Sequence, residues 1–191
     1  MDSLARDVVV PRLRGRFGHN YTYSESTPST QRLLGPEHAE GAVAVAEVQT
    51  EGRGRLGRSW ISPPGVSILC SIVLTPPVEP ARLPELTVVA AEACVETIEA
   101  ATGLSTAIKL PNDVLVGGRK VAGILAEARD GRVVLGMGIN VNVEAAQLPA
   151  GNATSLLAEL GRTVERPELL VTLLDVLERR YDAWVEGARA G

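Results

Sequence analysis

The chain has 191 residues, 45% of them hydrophobic and 22% charged, with a formal net charge of −4 at pH 7. That length suits one domain with a substantial core, and the acidic balance argues against broad electrostatic binding to nucleic acid. The first twenty residues hold no apolar stretch of signal-peptide length, and no run approaches the roughly 18 apolar residues of a membrane helix, so a cytoplasmic protein without a membrane partner is expected.

After a basic start at "RLRGR" (12–16), "YTYSES" alternates as a strand does, and "STPSTQRLL" supplies hydroxyl residues suited to capping a short helix. "GAVAVAEV" (41–48) reads as a buried strand. "QTEGRGRLGRSWISPPG" (49–65) is too long for a tight turn and has the composition of a functional loop. "VSILCSIVL" (66–74) is a further strand, and residues 81–103 have the length, alanine content and terminal glycine of a helix. A strand at "STAIKL", a polar turn at "PND" and a strand at "VLV" lead to the glycine pair 117–118. "KVAGILAEA" (120–128) and "RVVLGMGINVNV" (132–143) pair as strands, because "RDGR" between them carries the Asp-Gly hairpin signal. Residues 166–187 form an amphipathic helix with Pro167 in its first turn.

Hairpins combined with only two long helices do not alternate as a doubly wound fold does. The expected class is therefore α+β, with helices on one face of a mixed or antiparallel sheet. The polar break at 148–154 is too short to mark a domain boundary, so residues 1–191 are expected to form one domain. Cys70 and Cys94 sit in apolar surroundings without metal-ligand spacing and are expected to be buried free thiols.

"GRGRLG" (52–57) matches the spacing of a dinucleotide-binding turn, but two prolines soon follow where that motif needs a helix. What remains is a flexible loop carrying Arg53, Arg55 and Arg58, whose guanidiniums suit a polyphosphate and whose glycines predict mobility without ligand. By itself the tract is equally compatible with a solvated basic loop. Trp60 beyond it serves either as a core anchor or as a stacking surface for a base. Only two lysines occur in the chain, Lys109 and Lys120, against seventeen arginines. Lys109 precedes Asn112 and Asp113 at a strand end, and Lys120 opens the strand that closes on Glu127, a candidate electrostatic or metal-binding group. "GMGINVN" (136–142) adds glycines that permit close backbone approach and asparagines able to read a base or ribose. In "NATSL" (152–156), Thr154 and Ser155 are candidate helix caps.

Taken in order, "STPSTQ", "QTEGRGRLGRSW", "KLPNDVLVGGRKVAGILAE", "GMGINVN" and "NATSL" resemble the biotin protein ligases, also called biotin–[acetyl-CoA-carboxylase] ligases, over roughly residues 26 to 156. The resemblance implies a fold related to class II aminoacyl-tRNA synthetases. It implies a ligase that adenylates biotin with MgATP to biotinyl-5′-AMP and passes the biotinyl group to a lysine of a biotin carboxyl carrier domain. ATP and biotin are then substrates and Mg²⁺ accompanies them. By motif position, Ser29, Thr30 and Gln49 would bind the ureido ring, and Arg53, Arg55 and Arg58 would cover biotin and the phosphates. Trp60 would pack on adenine and Asn140 would hydrogen-bond it. Lys120 would contact the biotin carboxylate and α-phosphate, while Asn112 and Asp113 would line the phosphate and carrier-lysine side, with Lys120, Arg55 and Asp113 as the catalytic set and no metal ligands assigned.

Two positions depart from the family's usual pattern, Leu110 where tryptophan is usual and Gln31 where asparagine is usual. The first removes an aromatic wall, and with it binding energy if that wall touches biotin. A biotin ligase catalytic domain is expected without an N-terminal DNA-binding domain and without the small C-terminal β domain usual in the family. A carrier protein is the expected partner, nucleic acid is not, and a homodimer is a possible assembly. A lipoate-type acyl ligase, or a protein that binds biotin or biotinyl-AMP with impaired transfer, are the alternatives.

Overall fold

A computed structural model describes residues 2–129, 131–149 and 151–190. Seven strands form one mixed sheet: β1 (Tyr21–Thr27), β2 (Val43–Gln49), β3 (Ser67–Leu74), β4 (Thr106–Lys109), β5 (Asp113–Val116), β6 (Arg119–Arg129) and β7 (Arg132–Asn140). Their spatial order is β1-β2-β3-β7-β6-β5-β4. Only β1 and β2 run parallel; every other neighbouring pair is antiparallel. β4 to β7 form a meander that folds back to lay β7 beside β3. Gly117 and Gly118, with φ of 55° and 77°, make the turn from β5 to β6, a geometry that side chains resist. Asp130, the first residue of the Asp-Gly hairpin signal between β6 and β7, lies outside the described residues.

The helices are α1 (Arg6–Val9), α2 (Leu86–Thr102), α3 (Leu156–Leu160) and α4 (Arg166–Ala190). α2 packs on β4, β5 and β6, and α4 packs on α2 and β3. Strand side chains alternate between faces. Ile68, Cys70 and Ile72 of β3, Leu135, Met137 and Ile139 of β7, and Ala122 and Ile124 of β6 therefore share one aliphatic core with Leu169, Leu170, Leu173 and Leu177 of α4. The opposite face of the same three strands carries Ser71, Gly136, Gly138, Asn140 and Gly123 at its centre, with a small apolar cluster of Val73 and Val134 against Leu33 and Leu34 at one end. That asymmetry leaves the sheet with one filled face and one hollowed face.

Several sequence expectations shift. The helix expected over 81–103 begins only at Leu86, because Pro84 lacks the N–H and crowds the preceding turn; Pro80–Glu85 is a 3-10 helix instead. "STPSTQRLL" yields a single 3-10 turn, Thr30–Leu33, and Ser29 at its start makes no side-chain cap. The last sheet strand ends at Asn140 rather than 143. The short helix α1 carried no readable signal.

Arg166 ties the start of the chain to this frame. Its side chain is 2% exposed and bonds Asp2, Glu47 and the Ser67 carbonyl. Burial works against its charge, but the bonds to Glu47 and Asp2 outweigh that and raise its pKa. Among the described residues no helix is long and apolar enough to cross a membrane.

Candidate active site

The hollowed face of the sheet holds a cavity of about 350 Å³. Its floor is laid along β7, where Gly136, Gly138 and Asn140 point to the same side at successive even positions. At the first, a Cβ would sit 3.1 Å from Gln31 Nε2. At the second, the Trp60 indole lies directly on the backbone, and a Cβ would fall 2.6 Å from its Cε2. Gly123, the cross-strand partner of Gly138, takes the other side of the same ring, with Cζ3 2.9 Å from where a Cβ would be. From Gly136 to Asn140 the floor spans about 13 Å at the rise of an extended chain.

One end is neutral and polar. Thr30 donates from its N to Gln49 Oε1 at 2.8 Å, and its hydroxyl lies 3.1 Å from that oxygen and 2.7 Å from Ser71 Oγ. Gln31 donates from Nε2 to Leu125 O at 3.0 Å and Val134 O at 3.3 Å, while its Oε1 is buried without a partner. Ser29 is buried beside them. Ser29 and Thr30, expected to cap a helix, therefore line the cavity instead.

The middle is cationic. Lys120 Nζ lies 2.7 Å from Asp113 Oδ1 and 5.4 Å from the centroid of the Trp60 ring. Arg55 donates to Asn112 Oδ1 at 2.9 Å, and Asn112 in turn donates to Ile124 O at 3.2 Å. Arg53 reaches past the Gly136 end of the floor, where it makes two contacts with Glu127, the partner of Val134, at 2.9 and 2.7 Å. Glu127 thus acts as a counter-charge for the loop, the electrostatic one of its two readings. The loop itself closes as a narrow hairpin: Gly54 N donates to Arg58 O, Trp60 N to Gly52 O, and Arg53 bridges Ser59. No helix of dinucleotide-turn type follows it, only the 3-10 turn Arg55–Gly57.

The far end is built by Asn140, whose Nδ2 donates to Thr154 O at 2.9 Å. Ser155 caps α3, accepting from Ala158 N at 3.0 Å, as its place before the helix predicts.

Of the residues singled out from the sequence, Ser29, Thr30, Gln49, Arg53, Arg55, Arg58, Trp60, Asn112, Lys120 and Asn140 all line this one cavity. Asp113 stands behind Lys120 rather than in the wall. Lys109 is exposed at the end of edge strand β4 and is not among the residues that line the cavity. Leu110 is 71% exposed and is not among the residues that line the cavity, so this leucine supplies no wall there. Gln31, by contrast, is in the wall. Sequence reasoning passed over Ser71 and Gly123. A hydroxyl in an otherwise aliphatic strand and a glycine opposite another glycine were the available signals.

Comparison with known proteins agrees with this geometry. Residues 23–144 match the family model described as the biotin/lipoate A/B protein ligase family. The chain is 39% identical over 177 residues to the bifunctional ligase/repressor BirA of Bacillus spizizenii, covering 86% of this chain and 54% of the relative. It is 33% identical over 172 residues to the biotin–[acetyl-CoA-carboxylase] ligase of Paracoccus denitrificans, covering 84% and 70%. Among solved structures it superposes on the biotin protein ligase of Aquifex aeolicus in complex with biotin and ATP with a TM-score of 0.80 and 32% identity, over 88% of this chain and 72% of that one. The chain thus spans about half the length of the first of these curated relatives, and its sheet with helices on one face is the class II aminoacyl-tRNA synthetase-like fold that biotin protein ligases share. The chain belongs to the biotin/lipoate A/B protein ligase family, and within it to the biotin protein ligases.

Proposed function

We propose that this protein adenylates biotin with MgATP to biotinyl-5′-AMP and then transfers the biotinyl group to a lysine of a biotin carboxyl carrier domain. The observation that carries the reading is the order of chemistry along the cavity. Neutral hydrogen-bonding groups sit toward Gly136, with Lys120 and Arg55 beside Gly123 and Gly138 and the Asn140 amide at the other end, while Arg53 arches over the neutral end to pair with Glu127. An acyl adenylate has that same order: a urea ring, a mixed anhydride of carboxylate and phosphate, then adenine. The Aquifex aeolicus relative was solved with biotin and ATP.

In the first step a carboxylate oxygen of biotin attacks the α-phosphorus, the bond to the bridging oxygen breaks, and pyrophosphate leaves. Two anions approach one another, so the cations Lys120, Arg53, Arg55 and Arg58 lower the barrier where negative charge collects. Trp60 walls the middle of the channel and keeps water from the anhydride. In the second step the carrier amine attacks the acyl carbon, AMP departs with the bonding electrons, and the amine loses a proton. Once phosphate draws Lys120 away, Asp113 is free to orient that amine or accept the proton.

Among the described residues no group of three or more His, Cys, Asp or Glu side chains is placed to hold a metal. In the proposed reaction a magnesium ion would arrive with ATP, held by phosphate oxygens and water, and would neutralise charge on the departing pyrophosphate. The carrier must cover the mouth of the cavity to deliver its lysine. Leu56, Ile61 and Leu110, at 89%, 72% and 71% exposure, are the exposed large hydrophobic residues among those described. Ile61 itself lines the cavity, and Arg55 and Asn112, neighbours of the other two, are in contact. They supply an apolar rim for that docking.

The polar end favours a urea over the apolar dithiolane of lipoate, since Gln31 Oε1, buried without a partner, and the hydroxyls beside it can pair with a urea but not with a sulfur ring. The test is to incubate the protein with MgATP, biotin or lipoate, and an apo carrier domain. Biotin-dependent pyrophosphate release with carrier labelling is expected. Lipoate-dependent labelling in excess of biotin, or biotin binding with no pyrophosphate release, would contradict the reading.

A further inference from the structure

The base-side end of the cavity is held by a short segment that makes none of the cationic contacts. Residues 152–155 run alongside the start of β6. Lys120 N donates to Asn152 O and Thr154 N to Lys120 O, both at 2.8 Å, so the segment grips the backbone of Lys120 on both sides. The Thr154 carbonyl accepts from Asn140 Nδ2 at 2.9 Å. Asn140 is 5% exposed and Thr154 fully buried. The Thr154 hydroxyl donates to Glu159 Oε1 at 2.5 Å, and Arg119 Nη2 reaches the same oxygen at 2.8 Å. Glu159 lies on α3, whose start is fixed by the Ser155 cap.

An amide side chain has a donor end and an acceptor end that are not interchangeable. With Nδ2 committed to Thr154, Asn140 has Oδ1 left for a ligand, and among the described residues nothing donates to that oxygen. An acceptor at this point pairs with the amino group of adenine and repels the keto oxygen that hypoxanthine carries in its place. We propose that Thr154 and Glu159 are positioning residues that hold the Asn140 amide with its oxygen toward the nucleotide, so that the site selects a base bearing an exocyclic amino group. The chain of contacts is Glu159 to the Thr154 hydroxyl, the Thr154 carbonyl to Asn140, and Asn140 to the base. Because the same segment grips Lys120, the base reader and the phosphate lysine are set by one piece of backbone. The inference rests on the adenylating reading of the cavity.

The experiment compares the wild-type chain with Glu159→Ala, Glu159→Gln and Thr154→Val. For each, equilibrium binding of MgATP and MgITP is measured by calorimetry without biotin, and KM for ATP and for biotin by pyrophosphate release. Glu159→Ala and Thr154→Val should weaken ATP about tenfold, the scale of one lost positioning hydrogen bond, and reduce the ATP-over-ITP preference by a similar factor. The biotin KM should change less than the ATP KM, since the segment reaches Lys120 only through its backbone and touches neither the ureido end nor the arginine loop. Glu159→Gln keeps an oxygen for the Thr154 hydroxyl and should recover most of the preference. Thr154→Val and Glu159→Gln preserve side-chain shape and serve if Glu159→Ala fails to fold, as judged by melting. An unchanged ATP-over-ITP ratio in Thr154→Val, or a biotin KM that rises with that for ATP, overturns the assignment. A wild-type chain that binds ATP over ITP but releases no pyrophosphate with biotin would contradict the proposed function and leave this inference standing.

Discussion

Gly138→Ala adds one methyl group to the floor of the site and reports on how closely Trp60 is seated. The new Cβ would lie 2.6, 2.8 and 3.0 Å from Cε2, Cζ2 and Cδ2 of the indole, against about 3.5–4.0 Å for carbon atoms in contact. The ring must therefore move by about 1 Å while its backbone stays anchored by the bond from Trp60 N to Gly52 O at 2.8 Å. Gly138 has no positive φ, so alanine adds no backbone strain there and gains about 0.4–1 kcal/mol through the unfolded state. Overpacking costs about 1–3 kcal/mol. The net loss of stability should thus not exceed about 2.6 kcal/mol, or a fall in melting temperature of roughly 10 °C at most. If the indole forms the wall on which adenylate packs, the same 1–3 kcal/mol appears as a rise of about 5- to 150-fold in KM for ATP. The assay is steady-state pyrophosphate release together with indole emission, in a Trp184→Phe background so that Trp60 alone reports. Gly187→Ala is the control: it lies in α4 with open space around it and should stabilise by about 0.5–1 kcal/mol without touching activity. Wild-type KM and unchanged Trp60 emission in Gly138→Ala would refute the close seating of the ring.

Other consequences of the structure are open to measurement. Arg166→Leu leaves Asp2 and Glu47 without their buried partner and should cost about 3–5 kcal/mol in urea unfolding; a loss below about 1 kcal/mol would show that the clamp is not structural. Burial raises the Cys70 thiol well above its usual range and pushes Cys94 up to about 12. Both thiols should therefore remain protonated at pH 8 and resist iodoacetamide until the chain is unfolded, and rapid modification of either in the native protein, read by mass spectrometry, would contradict their burial. Glu127→Gln removes the counter-charge of Arg53 and should raise hydrogen exchange across residues 52–60 without ligand; exchange equal to wild type would mean the pair does not hold the loop.

Much of the fold was legible because the strands announce themselves by composition. β2 and β3 are nearly continuous aliphatic runs, and the β6–β7 hairpin carries its own turn signal. The site residues of the glycine-arginine loop, Lys120 and Asn140 were legible through motif order. What the sequence did not disclose is non-local. The pairing of Lys120 with Asp113 depends on β5 lying antiparallel to β6, with a register shift between Val114 and Leu115, a detail no periodicity records. Lys109 and Leu110 drew attention by neighbourhood in the chain, yet neither lines the cavity. Gly123 matters only because it faces Gly138 across two strands, and Thr154 read as a helix cap because its carbonyl, the part that bonds Asn140, is common to every residue.

The central claim is that Lys120 lies where carboxylate and α-phosphate react. The direct measurement is biotinyl-5′-AMP formed from biotin and MgATP, quantified by mass spectrometry in wild type and Lys120→Ala, with circular dichroism to confirm that the variant is folded. Removing one positioned charge of this kind costs about 2.7–4 kcal/mol, or roughly 10²–10³ in rate. The account predicts adenylate from the wild type and a loss of that size in the folded variant. Adenylate formation by Lys120→Ala at near wild-type rate would contradict it.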